Sequence, residues 1–348
     1  MTAMQGEAPA RDSLAEAIRR LAELVGPSGR EEAVREAIRE QLSELADRVW
    51  SDPLGNLFAR REASRQGGAG GRRVMVTAHM DEVGIMVTHI DEKGFLRFAP
   101  VGGLSPSLLV GQHVRFVGGV TGVVGREPEE EGKDLRHGQL FVDIGVNSAE
   151  EANRLVQVGD AACLWRPVQR LGQRLSGKAM DDRVGCVVVL EALRRLAESP
   201  HEVVAVFTVQ EEVGTRGARP AAFQVAPELA LAVDVTPAAD TPKARPLPVA
   251  LGKGVAIKVK DNSVISHPGV RRWMVEVAER HGIPHQLEVL DFGGTDAGAI
   301  HTTREGVPSG VLSIPTRYLH TPAETVDLED VEAAVKLLVR LLQEPAPF

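Results

Sequence analysis

Eight residues, Val74-Met75-Val76-Thr77-Ala78-His79-Met80-Asp81, decide how this chain folds. An apolar, β-branched run of this length predicts a strand buried on both faces, as strands are in parallel sheets covered by helices. The run ends in an imidazole and a carboxylate, which are groups that can bind a metal ion. Because ligands bind beyond the carboxyl ends of parallel strands, these two side chains stand where an active site is expected.

The same pattern recurs further along the chain. Apolar runs at residues 203–209, 229–233 and 311–314 are each followed by an acid or a histidine. The residues that follow them are Glu211, Glu212, Asp234 and His320. We therefore expect an α/β fold whose mostly parallel central sheet is flanked by helices, with these side chains converging on one site.

Length and composition restrict the class of protein. The 348 residues suffice for about two domains. A net charge of −8 without a long basic run argues against nucleic acid or a membrane surface as partner. The two cysteines, Cys163 and Cys186, form no CxxC pair, which argues against a disulfide framework or a Cys-rich zinc site. Since the sequence predicts neither a signal peptide nor a membrane span, we expect a cytoplasmic protein.

The middle of the chain has a different residue pattern. Residues 83–173 read as short alternating strands separated by glycine pairs, which is typical of a small β-barrel or sandwich. The α/β pattern occupies residues 1–82 and 174–348, so we expect one catalytic domain with an inserted all-β domain. Residues 66–71 are predicted to form a glycine-rich loop, and the acidic residues 127–131 a solvated, mobile loop.

Local signals predict several helices. Ser13-Leu14-Ala15-Glu16 fits a capping box that would open a helix to about Val25, and Ser28-Gly29-Arg30-Glu31 fits one that would open a helix to about Ala46. Further helices are expected at residues 148–157, 182–197, 268–281 and 328–342.

Two pairs of adjacent acids are candidate site residues. In an extended chain Glu211 and Glu212 would point in opposite directions, so one could bind a metal while the other acts as a general base. A solvated loop or a helix cap is the alternative. Asp181 and Asp182 stand at a predicted helix start, where capping explains one aspartate more easily than two. The functional alternative is a carboxylate that bridges two metals.

The two histidine positions complete a possible metal centre. Asp81 lies two residues from His79 and could orient a metal-bound ring through its second nitrogen. Singly, each candidate is more simply an ordinary core or surface residue. Together they would give two divalent ions one imidazole and one terminal carboxylate each, with one carboxylate shared, and leave positions open for water and substrate. Nitrogen and oxygen ligands suit Zn²⁺, Co²⁺ or Mn²⁺.

Several motifs stand in a fixed order along almost the whole chain. They are Gly26-Pro27-Ser28-Gly29, Asp52-Pro53-Leu54-Gly55-Asn56, Ala78-His79-Met80-Asp81-Glu82-Val83-Gly84, Gly177-Lys178-Ala179-Met180-Asp181-Asp182-Arg183, Gln210-Glu211-Glu212-Val213-Gly214-Thr215-Arg216-Gly217-Ala218, Gly293-Gly294-Thr295-Asp296-Ala297 and Arg317-Tyr318-Leu319-His320-Thr321-Pro322-Ala323-Glu324. In this order they resemble the M42 metallo-aminopeptidases, which include the tetrahedral (TET), glutamyl and deblocking aminopeptidases.

The resemblance implies a di-metal aminopeptidase that acts on short peptides. Glu211 would be the general base and Asp81 would orient one ligand. Gly294, Thr295 and Asp296 would lie near the pocket for the substrate's first side chain. Two ions, with Zn²⁺ expected ahead of Co²⁺ or Mn²⁺, would share Asp181 within the implied ligand set: His79, Asp181, Glu212, Asp234 and His320.

The resemblance further implies a zinc-exopeptidase-like fold and a cis peptide after Asp181. The inserted domain would be PDZ-like, would make dimer contacts and would often build a dodecamer. Two rival hypotheses stay open. One is another di-metal hydrolase on this scaffold, such as a deacylase or carboxypeptidase, and the other is a non-catalytic peptide-binding assembly protein.

Overall fold

The computed structural model describes residues 7–64, 71–128 and 134–348. Its α-helices in these ranges are α1 (Glu7–Ala22), α2 (Glu32–Leu42), α3 (Pro106–Leu109), α4 (Ala149–Leu155), α5 (Met180–Arg195), α6 (Ala218–Val225), α7 (Pro268–Arg280), α8 (Asp296–Ile300) and α9 (Leu328–Gln343). The strands are β1 (Arg48–Ser51), β2 (Leu57–Arg61), β3 (Arg73–His79), β4 (Gly84–Ile90), β5 (Leu96–Val101), β6 (His113–Phe116), β7 (Thr121–Arg126), β8 (Leu140–Asp143), β9 (Ala161–Leu164), β10 (Gln169–Leu171), β11 (Arg174–Gly177), β12 (Glu202–Thr208), β13 (Leu229–Pro237), β14 (Val255–Lys260), β15 (His285–Val289), β16 (Ser309–Arg317) and β17 (Glu324–Asp327).

A mixed sheet forms the larger part of the molecule. Its centre is parallel, in the order β12, β3, β13 and β16. Antiparallel pairs extend it through β2 and β1 on one side and through β17, β11 and β10 on the other. β14 pairs antiparallel to β16 and carries β15 parallel to itself. The predicted parallel arrangement therefore holds for the central strands, and the flanks add antiparallel pairs.

The central strands are apolar along their whole length because helices cover both faces of the sheet. In β3, Val74 and Val76 pack into a core with α1, α2, α5 and α9, whereas Met75 faces a second core with α6 and α8. Alternate residues of a strand point to opposite faces, so each face needs its own apolar set. This arrangement confirms the predicted α/β class.

The inserted all-β domain is confirmed as a closed barrel. Six antiparallel strands close in the order β4, β5, β8, β7, β6 and β9. The barrel has its own apolar core, which includes Ile85, Val114 and Val142. Ser148 caps α4 by accepting a hydrogen bond from the backbone N–H of Glu151 at 3.3 Å.

Both capping-box predictions near the start of the chain are wrong. α1 begins at Glu7 and ends at Ala22, so Ser13 lies inside it. α2 begins after Glu31 without a side-chain cap and ends at Leu42. The hydroxyl of Ser28 donates instead to Asp81, so a tertiary contact takes the place of the expected local one.

Other predictions on loops and spans have mixed outcomes. Residues 66–70 of the predicted glycine-rich loop and residues 129–131 of the predicted acidic loop lie outside the described residues. Glu127, at the start of the acidic stretch, forms an ion pair with Arg97. Cys163 and Cys186 are buried, free thiols. Within the described ranges, every helix is too short or too polar to cross a membrane.

Candidate metal centre

Strand register brings the predicted site residues to one edge of the sheet. His79 is the last residue of β3, Glu211 and Glu212 follow β12, and His320 follows β16. Asp234 was expected at a strand end, but β13 continues to Pro237 because it keeps pairing with β16. Ala232 pairs with Thr77, so two residues further Asp234 lies level with His79.

Two overlapping groups of side chains at this edge could each hold a metal ion. One group is His79, Asp181 and Asp234, and the other is Asp181, Glu212 and His320, with the ligand atoms of each group within 4.8 Å of one another. Asp181 belongs to both groups. Its Oδ1 lies 3.0 Å from Nε2 of His79, and its Oδ2 lies 3.5 Å from Nε2 of His320. One carboxylate thus faces both imidazoles.

The remaining carboxylates stand at the outer ends of the cluster. Asp234 Oδ1 is 3.9 Å from Nε2 of His79, and Glu212 Oε2 is 3.3 Å from Nε2 of His320. Burial opposes protonation of His320, but hydrogen bonds with Asp181 and Glu212 raise its pKa to about 12. In the absence of metal, both imidazoles are therefore held beside negative charge.

The second nitrogen of each imidazole faces a backbone carbonyl. Nδ1 of His79 lies 3.1 Å from the carbonyl oxygen of Asp81, and Nδ1 of His320 donates to the carbonyl of Gly103 at 2.8 Å. Because a carbonyl can only accept, Nδ1 is the donor in each contact and Nε2 is left for a metal. Gly103 follows β5, so the barrel orients one histidine of the site.

Asp81 holds the loop that carries Glu211 and Glu212. Its carboxylate accepts hydrogen bonds from the backbone N–H groups of Glu211 at 2.9 Å and Glu212 at 3.2 Å, and from the Ser28 hydroxyl. Burial would raise the pKa of Asp81, but its interactions with His79, Ser28 and the Glu211 N–H lower it. Asp81 Oδ1 also lies 3.4 Å from Nδ1 of His79.

Asp182 caps the start of helix α5 rather than facing the imidazole rings. Its carboxylate accepts hydrogen bonds from the backbone N–H groups of Gly185 at 3.1 Å and His79 at 3.2 Å. Asp181 alone of this pair reaches between the imidazoles. The peptide bond between Asp181 and Asp182 is cis, as the family resemblance implied.

Glu324 is a site residue that sequence reasoning missed as such. Its Oε2 accepts from the backbone N–H of Asp181 at 3.0 Å, and its Oε1 accepts from that of His320 at 2.8 Å. Burial and the nearby charge of Asp181 raise the pKa of Glu324 to about 8. One carboxylate therefore fixes the backbone of two candidate ligands. The sequence signal that could have identified Glu324 is its position at the end of the motif that contains His320.

The chemistry of the cluster fits divalent cations. Burial and neighbouring acids raise the pKa of Glu211 and of Asp234 well above their ordinary values, and that of Glu212 to a smaller extent. Glu212 Oε1 is buried without a hydrogen-bond partner among the described residues. Closely packed carboxylates with unused oxygens, set beside two imidazoles, form a donor set suited to zinc or a similar ion.

A cavity of about 390 Å³ opens beside the cluster. Of the three residues predicted to lie near the substrate pocket, Gly294 lines this cavity, whereas Thr295 and Asp296 are buried and are not part of its wall. Asp296 accepts a hydrogen bond from the Thr208 hydroxyl at 2.6 Å. Beyond the acids and histidines, the wall consists of Val235, Pro237, Lys258, Leu290, Phe292, Gly293, Gly294 and Leu319.

A sheet whose edge gathers carboxylates and imidazoles beside such a cavity is an arrangement typical of metal-dependent enzymes. More specifically, the chain belongs to the M42 glutamyl aminopeptidase family, whose sequence model matches residues 55–337. The predicted family is therefore confirmed, and the chain is a metallopeptidase of the aminopeptidase class.

Related proteins agree with this assignment over nearly their full lengths. The lysyl aminopeptidase of Pyrococcus furiosus is 37% identical over 347 residues, which cover 96% of this chain and 98% of the relative. The structure of aminopeptidase APDkam598 from the archaeon Desulfurococcus kamchatkensis has a TM-score of 0.93 and 40% identity, covering 97% of this chain and 96% of its own. That of PhTET1-12s, described as a dodecamer in the asymmetric unit, has a TM-score of 0.85 and 37% identity, covering 95% and 99%.

Proposed function

We propose that this protein removes the N-terminal residue from short peptides with the help of two divalent ions. The observation that carries the proposal is the position of Asp181, with one carboxylate oxygen toward His79 and the other toward His320. A carboxylate shared between two three-residue groups supports a site for two metal ions. When bound, such ions would lower the pKa of a water molecule and polarise the scissile carbonyl.

The two ions would divide the ligands by position. His79, Asp181 and Asp234 would hold one ion, and Asp181, Glu212 and His320 the other, with Zn²⁺ expected ahead of Co²⁺ or Mn²⁺. Asp81 would keep the His79 ring in place from its other side, as carboxylates commonly do for metal-bound imidazoles.

Glu211 is the proposed general base. It belongs to neither ligand group, although it lines the same cavity. Burial raises the pKa of its carboxyl group, which favours a residue that takes a proton from water and passes it to the leaving amine. The hydrogen bond from the Glu211 backbone N–H to Asp81 holds the backbone from which this side chain extends.

The substrate's first side chain would enter the cavity beside Gly294, with Thr295 and Asp296 supporting that wall from behind. The preferred side chain cannot be carried over from relatives, because the family description specifies glutamate and the Pyrococcus relative is a lysyl aminopeptidase.

The decisive experiment is Glu211→Gln. We expect wild-type metal content by elemental analysis but a kcat lowered by about 10²- to 10⁴-fold, the usual contribution of a general base. Glu305→Gln, an exposed and remote change, is the matched control. Full turnover in Glu211→Gln would contradict the assignment.

Substrate panels separate the rivals. An aminopeptidase hydrolyses substrates with a free N-terminal amine and spares N-acylated ones, whereas a deacylase or carboxypeptidase has other preferences. Activity that disappears with a chelator and returns with added metal would exclude a non-catalytic binding protein. Asp181→Asn should lower metal content at both positions, because it removes the shared ligand.

We also propose that residues 83–173 act as a self-association domain that forms dimers and, through them, a dodecamer. Leu108 and Leu155 within it are 46% and 52% exposed, which leaves apolar surface available for contact. Light scattering should give a particle of several subunits, and Leu108→Asp with Leu155→Asp should reduce its mass. Leu54→Asp, at a residue 50% exposed outside this domain, is the control. A wild-type monomer would contradict this proposal.

A further inference from the structure

The cavity extends past the metal ligands to a buried cation. Asp234 and Thr236 point to the same face of β13, about 7 Å apart at the usual rise per residue. The Thr236 hydroxyl donates to Glu288 Oε1 at 2.8 Å, and the same oxygen pairs with the ammonium of Lys258. Lys258 is 2% exposed and lines the cavity. A charged side chain thus lines the same cavity as the candidate metal ligands.

The charge of Lys258 is already compensated. Besides its ion pair with Glu288, its Nζ lies 3.5 Å from Asp261 Oδ2. Glu288 is fully buried and Asp261 is 3% exposed, and neither contributes to the cavity wall. Lys258 therefore stands between the cavity and two carboxylates. An acidic side chain would meet a lysine already paired with two carboxylates, and a basic side chain would be separated from those carboxylates by Lys258.

The other walls of the cavity are apolar. Val235 and Pro237 come from β13, Leu290 and Phe292 from the segment after β15, and Leu319 from the loop before His320. Apolar walls favour apolar ligand groups by burial of their surface.

We infer that the cavity accepts an uncharged, apolar N-terminal side chain such as that of leucine or methionine, and that Glu288 is a positioning residue that prevents Lys258 from selecting an acidic one. The inference rests on the proposed aminopeptidase function. It assigns a role to the buried ion pairs of Lys258 with Glu288 and Asp261, which are not among the candidate metal ligands.

The first test is kcat/KM for leucyl, methionyl, glutamyl and lysyl chromogenic amides with the metal-loaded wild-type enzyme. The leucyl and methionyl substrates should exceed the other two by at least about tenfold, the difference that one well-placed group commonly makes to specificity. A preference for glutamate or lysine overturns this inference and leaves the aminopeptidase proposal intact. Hydrolysis of none of the four overturns the aminopeptidase proposal itself, and this inference with it.

Two variants should shift the specificity in opposite directions. Glu288→Gln removes one of the two carboxylates beside Lys258 and leaves it paired with Asp261 alone, so glutamyl substrates should gain about tenfold over leucyl ones, mainly through KM. Lys258→Met leaves the two carboxylates without their cation, so lysyl substrates should gain instead. Thermal melting reports folding, and either folded variant suffices for the test. Glu276→Gln and Lys253→Met, both at exposed positions, are the matched controls. A substrate ratio that stays at the wild-type value in a folded variant overturns the inference.

Discussion

The hydroxyl of Ser28 donates a hydrogen bond of 2.5 Å to Oδ2 of Asp81. This contact ties the connection between α1 and α2 to the end of β3. Since Asp81 also accepts the backbone N–H groups of Glu211 and Glu212, the connection helps to fix the loop that carries the proposed base. Ser28 is 6% exposed, so water cannot readily replace it.

Ser28→Ala should therefore slow catalysis without removing metal. A hydrogen bond to a buried charge contributes about 1.5–3 kcal/mol, which corresponds to a fall in kcat of about 10- to 100-fold if the loop depends on it. Steady-state kinetics combined with metal analysis measures both quantities. Ser43→Ala, at an exposed helix end, should behave like wild type. An unchanged kcat in Ser28→Ala would show that Asp81 holds the loop without this donor.

A second contact at the base of the same loop depends on a glycine. A Cβ atom added at Gly217 would lie 2.3 Å from Asn56 Oδ1 and 2.5 Å from the carbonyl oxygen of Val209. Asn56 joins the two ends of this loop, because its Oδ1 accepts from the Val209 N–H and its Nδ2 donates to the Gly217 carbonyl, each at 3.0 Å. At position 217 there is therefore room for the hydrogen atom of glycine but not for a Cβ atom.

Gly217→Ala should displace the loop and weaken both activity and stability. Overpacking of this kind costs about 1–3 kcal/mol, visible as a lowered melting temperature together with a lowered kcat. Gly118→Ala is the control, since an added Cβ there meets no atom within 4 Å. If Gly217→Ala melts and turns over like wild type, the loop tolerates the added methyl group and this prediction is wrong.

Strand-borne site residues could be predicted from sequence, because the physics behind them is local. The apolar run before His79 indicates a buried parallel strand, and strands of that kind end at a common edge. For Asp234 the predicted site was the same, and only the end of its strand was wrong, because pairing with β16 extends β13 to Pro237.

Supporting residues could not be predicted in the same way, because their partners are remote in sequence. Ser28 lies 53 positions from Asp81, Glu324 lies 143 positions from Asp181, and Gly103 lies 217 positions from His320. Local patterns can even mislead: Ser13 matches a capping box but lies inside α1. A match of two residue types over four positions is weak evidence of a helix start when the helical pattern also extends before it.

Glu324 provides a test of these remote contacts. Glu324→Gln would replace one of the two accepting oxygens with an NH2 group, which cannot accept, so either the Asp181 or the His320 N–H would lose its acceptor. Changes to groups that support metal ligands typically weaken metal binding by about 10- to 100-fold. Titration of the metal-free protein with Zn²⁺ in a competing chelator measures this directly.

Glu324→Gln should weaken metal binding more than it lowers the stability of the metal-free protein. Melting of the metal-free variant should change less than its zinc affinity, because the contacts involve the ligand backbone. Glu62→Gln, exposed and remote, serves as control. Wild-type zinc affinity in Glu324→Gln would mean that Asp181 and His320 are held by other contacts.

Asp330 predicts a pH dependence of stability that is separate from the metal centre. Burial raises its pKa from 3.8 to about 7, even though its carboxylate accepts from the N–H groups of Gly252 and Gly254. The folded state therefore binds this proton more tightly than the unfolded chain. Its contribution to the free energy of unfolding is largest below pH 4 and falls as pH rises to about 7.

Asp330→Asn should remove this slope. Relative to the variant, metal-free wild-type protein should lose up to about 4 kcal/mol of unfolding free energy between pH 4 and 7.5, measured by urea denaturation. Asp240→Asn should give the opposite sign, because hydrogen bonds from Arg317 lower the pKa of Asp240, whose contribution is present above its ordinary pKa and is lost on acidification. Parallel pH profiles for wild type and Asp330→Asn would mean that Asp330 ionises in the folded protein as it does in the unfolded chain.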